Sequence, residues 1–231
     1  MEIHISDNPA KKLGETLTEE IIGHTGDTVC FLSGGSALEV VKYIPAPENE
    51  CRTIFMMGDE RWSREKDENN SLQLLSKYPD SPVAKNFIAS VPEENESLRD
   101  FAVRIENQIL NQIKNAQNLK IISLLGIGPD GHTAGIFPQP NQESFLELYP
   151  DDRTYVPVHI EGLKIDSRAS LTPHFLLHTA DKLFAYVTGE NKTDILNSLL
   201  KTKKEVYERP AELIKQHQNA ELFTDIDIIE A

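Results

Sequence analysis

The sequence predicts an α/β fold, a mostly parallel sheet flanked by helices, in a single domain over residues 1–231. Apolar runs alternate with amphipathic stretches almost from end to end, the pattern of a parallel sheet covered by helices. Set against about 150 residues for a typical domain, the 231 residues fit one large domain or two small ones, and no linker, repeat or low-complexity tract divides them. With 39% hydrophobic and 26% charged residues, the chain has the apolar mass for a sizeable core.

Ile3 to Ser6 reads as a short opening strand, and Lys11 to Ile22 as a helix with Leu13, Leu17, Ile21 and Ile22 at helical spacing. Val29 to Leu32 is a buried strand that runs into Ser33-Gly34-Gly35-Ser36. Ser36 followed three residues on by Glu39 is a capping box, so a helix is expected to begin at Ser36. Thr53 to Met57 is a further strand, ending at Gly58-Asp59-Glu60-Arg61. A polar loop from Trp62 to Asn70 leads to a helix near Leu72 to Leu75, and Pro79, Pro82 and Pro92 punctuate the connection that follows. Ser97 with Asp100 opens a long helix carrying Phe101, Ile105, Ile109, Leu110 and Ile113. Ile121 to Leu125 is a fully apolar strand leading into GIGPDGHTAGIFP. Strands are expected at Tyr155 to Ile160, Leu183 to Thr188 and near Glu221 to Phe223, and helices at Thr193 to Leu200 and Pro210 to Gln216.

Lys plus Arg is 23 and Asp plus Glu is 37, a net charge of −14. A surface so acidic repels phosphate backbones and anionic lipid, which argues against nucleic acid and membrane surfaces as partners. A small anionic substrate stays compatible only if cations gather in one pocket. Two cysteines, Cys30 and Cys51, make no disulfide framework and read as structural, and MEIHISDNPAKKL lacks the marks of a secretory signal. The cytoplasm is the expected location. No apolar run approaches the roughly 18 residues of a membrane span.

The Ser33 to Ser36 turn, between a buried strand and a helix start, fits two readings: an anion seat, where backbone N–H groups and the helix N-terminus favour phosphate, or a turn that only reverses the chain. Gly126-Ile127-Gly128-Pro129-Asp130-Gly131 formally matches a dinucleotide fingerprint with Glu147 downstream. Pro138 and Pro140 stop the crossover helix which that fingerprint needs, so nicotinamide binding is rejected. Asp130 and His132 project from the same glycine-rich loop at a strand end, and Asp59 and Arg61 from another. If the two strands are neighbours, a base, carboxylates and a cation converge on one crevice; otherwise these are solvated loop charges. His174 and His178 are spaced for one helix face, but no H-E-x-x-H glutamate or third ligand accompanies them, so they read as a semi-exposed face and not a metal site.

Taken in order, LSGGS, MGDER, LGIGPDGHTAGIFP, SRASLT and VTGENK resemble the superfamily of 6-phosphogluconolactonases and glucosamine-6-phosphate deaminases, over Leu32 to Lys192 and, weakly, through ERPAEL and LFTD. The resemblance implies a modified Rossmann domain that hydrolyses 6-phospho-D-glucono-1,5-lactone in the oxidative pentose phosphate pathway, with no metal or other cofactor. Carried over, Ser33, Gly34, Gly35 and Ser36 form the phosphate loop and Arg168 and Lys192 add cations. Asp59 and Arg61 flank the sugar ring, with Arg61 the candidate for stabilising developing charge. His132 is the base that activates water and Asp130 orients it. The implied partner is a small phosphorylated sugar lactone; no oligomeric state is assigned.

The chain departs from the family pattern in places: SGGSALE stands for SGGSTP, Asn69-Asn70 for SN, and HTAGIFP for HTASLFP. The deaminase branch reads DGHIAFNEP, with a glutamate where this chain has Phe137, and the missing acid argues against ring opening and deamination. The alternatives to the hydrolase are that isomerase or deaminase activity and a sugar-phosphate-binding protein, sensor or inactive. A regulator would need a DNA-binding module, for which there is neither room before Ile3 nor a basic patch.

Overall fold

In the computed structural model, which describes residues 1–46 and 51–228, the chain runs through β1 (Glu2–Ile5), α1 (Pro9–Ile22), β2 (Thr28–Leu32), a 3-10 segment (Gly35–Tyr43), β3 (Thr53–Met57) and β4 (Asp59–Arg61). It continues through α2 (Asn70–Lys77), α3 (Pro82–Lys85), α4 (Leu98–Lys114), β5 (Lys120–Gly126), α5 (Gln142–Leu148), β6 (Tyr155–His159) and β7 (Ser167–Leu171). The last elements are α6 (Pro173–His178), β8 (Lys182–Val187), a 3-10 turn (Glu190–Lys192), α7 (Thr193–Lys201), α8 (Glu212–Gln216) and β9 (Ala220–Thr224). The expected span 1–231 includes 47–50 and 229–231, which lie outside the described residues.

Six strands form one sheet in the order β1-β9-β8-β5-β2-β3, every neighbouring pair parallel. Three form a second, antiparallel sheet in the order β4-β7-β6. The alternation of side chains along the parallel strands divides the core in two. Val29 and Phe31, Ile121 and Leu125, and Leu183 and Ala185 face one cluster, which α4 completes with Phe101, Ile105 and Ile109. Cys30 and Leu32, Ile122 and Leu124, and Phe184 and Tyr186 face the other, covered by Leu13, Leu17 and Ile21 of α1 and by Leu38 and Val41 of the 3-10 segment. Both faces are therefore apolar, and this is why these strands read as continuous hydrophobic runs. Ser97 caps α4 as its sequence predicts, its Oγ accepting from the Asp100 N–H at 3.1 Å.

One local expectation is corrected. The capping box at Ser36 and Glu39 does not form. Gly35, at φ +63°, tightens the entry into a 3-10 segment, so Ser36 lies inside it and Glu39 faces solvent, paired with Lys42 at 2.9 Å. The condition that the strands leading to Asp59 and to Asp130 be neighbours is not met: β2 lies between β3 and β5. Their ends converge all the same, because β2 pairs in parallel with both, and Gly58, just beyond β3, donates to Leu32 O at 2.8 Å. Beyond β2 the chain packs into one core, and beyond β5, through Ile127, Ile136 and Phe137, into the other. The divergence opens a crevice at the carboxyl ends of the strands, where sheets of this kind bind ligands.

Candidate active site

That crevice is a cavity of about 250 Å³. Ser33, Gly34, Gly35, Ser36, Asp59, Arg61, His132, Arg168 and Lys192 all line it, and Asp130 stands directly behind His132. The structure thus brings every sequence-predicted site residue to one place. The turn after β2 and the loop after β5 are joined by Ser33 Oγ, which accepts from the Gly126 N–H at 3.3 Å.

The Asp130 carboxylate meets His132 Nδ1 at 2.6 Å and also accepts the His132 backbone N–H at 3.1 Å. Burial pushes the Asp130 carboxyl up, but the hydrogen bonds and charge of His132 outweigh it and hold it below the usual carboxylate range. With Nδ1 committed to Asp130, Nε2 is the nitrogen free to exchange protons. Only glycine admits this pair at position 128: a Cβ there would lie 2.1 Å from His132 Nδ1 and Cε1 and 2.8 Å from Asp130 Oδ1. The loop closes on itself through Gly128 N–H to His132 O at 2.8 Å and Gly131 N–H to Gly128 O at 3.0 Å.

The imidazole stacks on Phe137, centroids 4.6 Å apart and planes at 29°, while the Arg168 guanidinium sits 5.1 Å from the same ring's centroid. Cation–π attraction holds such a guanidinium over an aromatic ring. Phe137 is itself pinned by Tyr149, whose hydroxyl accepts the Phe137 N–H at 2.9 Å and donates to Gly135 O at 3.0 Å. Tyr149 escaped the sequence reading; a buried tyrosine looks like any other core aromatic until its hydroxyl partners are known.

Arg61, Arg168 and Lys192 bring three cations to a cavity whose lining, among the described residues, has one carboxylate, Asp59. Arg168 lies 3.7 Å from Asp59, and the Lys192 ammonium donates to Ile127 O. Burial lowers the pKa of both Arg168 and Lys192, opposed by Asp59 and by Asp130 respectively. Partly desolvated cations in this arrangement attract an anion against the −14 net charge of the chain.

Glu60, between Asp59 and Arg61, was not read as a site residue. It is fully buried, and its carboxyl accepts from the N–H groups of Arg61 (2.8 Å), Asn70 (2.7 Å) and Ser71 (2.8 Å) and from the Ser71 hydroxyl (2.7 Å). Burial pushes this carboxyl up to about 8, against the pull of those donors. The group ties β4 to the start of α2.

Four further residues singled out in the sequence, Cys30, Cys51, His174 and His178, lie outside the cavity lining. Cys30 is buried in the sheet, where burial pushes its thiol up, and Cys51 is also a free thiol. His174 and His178 are exposed on α6 with ring centroids 4.6 Å apart. Among the described residues, the one three-residue cluster with metal-ligand spacing is Glu2, His4 and Glu221, none of which lines the cavity. No helix among the described residues is long and apolar enough to cross a membrane.

Fold and crevice together define an α/β protein with a cationic site at the switch point of a parallel sheet. The chain belongs to the family of glucosamine-6-phosphate isomerases and 6-phosphogluconolactonases, whose profile matches residues 4–224. It is 30% identical to the 6-phosphogluconolactonase of Pseudomonas putida over 204 residues, covering 83% of this chain and 80% of that one. With the Haemophilus influenzae 6-phosphogluconolactonase it shares 31% over 192 residues, 80% and 78% of the two chains. Among solved structures, the Thermotoga maritima 6-phosphogluconolactonase superposes with a TM-score of 0.76 at 20% identity, covering 96% of this chain and 98% of that one. A monomeric glucosamine-6-phosphate deaminase gives 0.72 at 14%, covering 97% of each, so the fold is common to both branches.

Glu60→Leu strips three backbone N–H groups of their buried acceptor and is expected to lower unfolding free energy by about 3 kcal/mol or more. Urea denaturation measures it; a loss below about 1 kcal/mol would show that the carboxyl does not hold β4 to α2.

Proposed function

We propose that the chain hydrolyses 6-phospho-D-glucono-1,5-lactone to 6-phosphogluconate, the lactone-opening step of the oxidative pentose phosphate pathway, as one sugar-phosphate-binding domain in the cytoplasm. The observation that carries this reading is the 2.6 Å Asp130–His132 hydrogen bond at a cavity that also presents Arg61, Arg168 and Lys192. Its two cysteines, both free thiols, fit a reducing compartment.

In this mechanism the Ser33 to Ser36 turn, Arg168 and Lys192 take the phosphoryl group, and Asp59 and Arg61 flank the ring. His132 Nε2 removes a proton from a water whose oxygen attacks the lactone carbonyl carbon. Asp130 holds the ring in the required tautomer and stabilises the imidazolium that forms. Negative charge develops on the carbonyl oxygen, where Arg61 stabilises it. Collapse of the tetrahedral intermediate breaks the bond to the ring oxygen, which leaves with the proton from His132. The carboxylic acid produced then ionises, so each turnover releases one proton. A lactone is already an activated ester, and a positioned water, a base and a charge donor suffice.

Phe137 separates this reading from the isomerase and deaminase branch, for it places an apolar ring against His132 where ring opening would call for a carboxylate. A histidine held on a carboxylate, with its second ring nitrogen left for proton exchange, favours the hydrolase over a protein that only binds sugar phosphates.

Phosphate recognition is expected to dominate affinity, because each charge-assisted contact contributes about 1.5 to 3 kcal/mol. Unphosphorylated gluconolactone should therefore be a poor substrate, and Lys192→Gln should mainly raise KM. Equal kcat/KM for the two lactones, corrected for spontaneous hydrolysis, would contradict the placement of Arg168, Lys192 and the Ser33 to Ser36 turn.

His132→Ala is expected to lower kcat by about 10² to 10⁴-fold while 6-phosphogluconate affinity and melting temperature stay near wild type. Turnover at the wild-type rate would remove His132 from the mechanism. A joint fall in stability and affinity would make it structural.

A further inference from the structure

One buried acceptor in the cavity has nothing to accept. Asn70, the first residue of α2, is 2% exposed and lines the cavity beside Gly34. Its Nδ2 donates to the backbone carbonyl of Asp59 at 3.1 Å. A carbonyl oxygen can only accept, so this bond decides which end of the carboxamide faces it. Oδ1, at the other end of the carboxamide, is buried and has no hydrogen-bond partner among the described residues. A Cβ on Gly34 would stand 2.2 Å from this oxygen, so the glycine turn is what leaves room for it. The Asn70 backbone is anchored as well, its N–H held by Glu60 at 2.7 Å.

Two further buried polar atoms without partners belong to residues of the same lining: Arg61 Nε and Arg168 Nε. Buried polar groups carry a desolvation cost unless paired, so a lining with one acceptor and two donors unpaired among the described residues points to the complement it takes. An ionised phosphoryl ester offers acceptors only. It can satisfy Arg168 Nε but not Asn70 Oδ1, which requires an O–H or N–H on the ligand.

We propose that Asn70 is a specificity-determining residue of this site, its Oδ1 accepting a hydrogen bond from a hydroxyl of the sugar-acid portion of the ligand. The inference rests on the sugar-phosphate reading given above and deepens it. Phosphate is gripped by the cations and the glycine turn, while the polyol is read by a neutral acceptor on the first turn of α2. Sites built around a substrate hydroxyl reject analogues that lack it more strongly than apolar pockets reject a change of size.

The experiment compares two probes, 6-phosphogluconate and inorganic phosphate, on the wild type, Asn70→Ala and Asn70→Leu, with melting temperatures alongside. The expected result is a rise of about tenfold in the dissociation constant for 6-phosphogluconate, with inorganic phosphate affinity changed by less than about twofold. A proportional loss for both probes would overturn the proposal, because Asn70 would then be bracing the phosphate turn. Unchanged 6-phosphogluconate affinity would overturn it too. Should neither variant fold, the wild type still decides. The side-chain amide resonances of Asn70 should shift on adding 6-phosphogluconate and stay in place with inorganic phosphate, and the reverse pattern would refute the assignment. Binding is read independently of turnover, so a chain that held 6-phosphogluconate through Asn70 without hydrolysing the lactone would support this inference and overturn the hydrolase reading.

Discussion

Strand β2 takes parallel partners on both edges, β3 on one and β5 on the other, and the whole site hangs from that pairing. The register sets Leu32 beside Met57, so the turn at Ser33 leaves the sheet level with Gly58 and the β4 segment that follows. On the other edge Phe31 pairs with Ser123 and β5 runs on to Gly126, whose N–H meets Ser33 Oγ. A shift by one residue would reverse the inward and outward alternation that the two cores require. The position of the cavity is therefore a consequence of core packing, and the chemistry occupies backbone that the fold has already placed.

Within that frame, carboxyl groups do much of the holding. Asp130 holds His132, Glu60 holds the start of α2 and the Arg61 backbone, and Asp59 lies beside Arg168. Each is committed to a neighbour, so the cavity keeps its positive character inside a strongly acidic protein. Phe137 gives one apolar surface to two charged partners, the His132 imidazole and the Arg168 guanidinium. One apolar ring thus supports both the base and one of the cations of the cavity.

The parallel strands and α1 and α4 were legible because two apolar faces make unbroken strings and one apolar face makes a helical stripe. Strands β4 and β7 were not legible. Asp-Glu-Arg has no apolar side chain to signal a strand, and β7 buries only Ala169, Ser170 and Leu171, two of them small. Their pairing depends on contacts across more than a hundred residues of sequence, with Asp59 opposite Ser170. The short helices α3 and α5 were missed for the same reason, being too brief for a period to appear. Of the site, the charged and glycine residues could be read from their strand ends and their motifs. Glu60 and Tyr149 could not, and Asn70 showed only as part of a motif position, because their roles rest on burial and on which atoms lack or find partners, and neither is written in the local sequence.

The central claim is that phosphate sits on the turn after β2 and the reacting carbon sits beside His132, and a crystal structure with 6-phosphogluconate bound tests it most directly. The account predicts the phosphoryl group within hydrogen-bond reach of the Ser33 to Ser36 backbone, Arg168 and Lys192, with the product carboxylate next to His132 Nε2. A ligand bound in the opposite sense, or lying outside the crevice with His132 facing no part of it, would contradict the account.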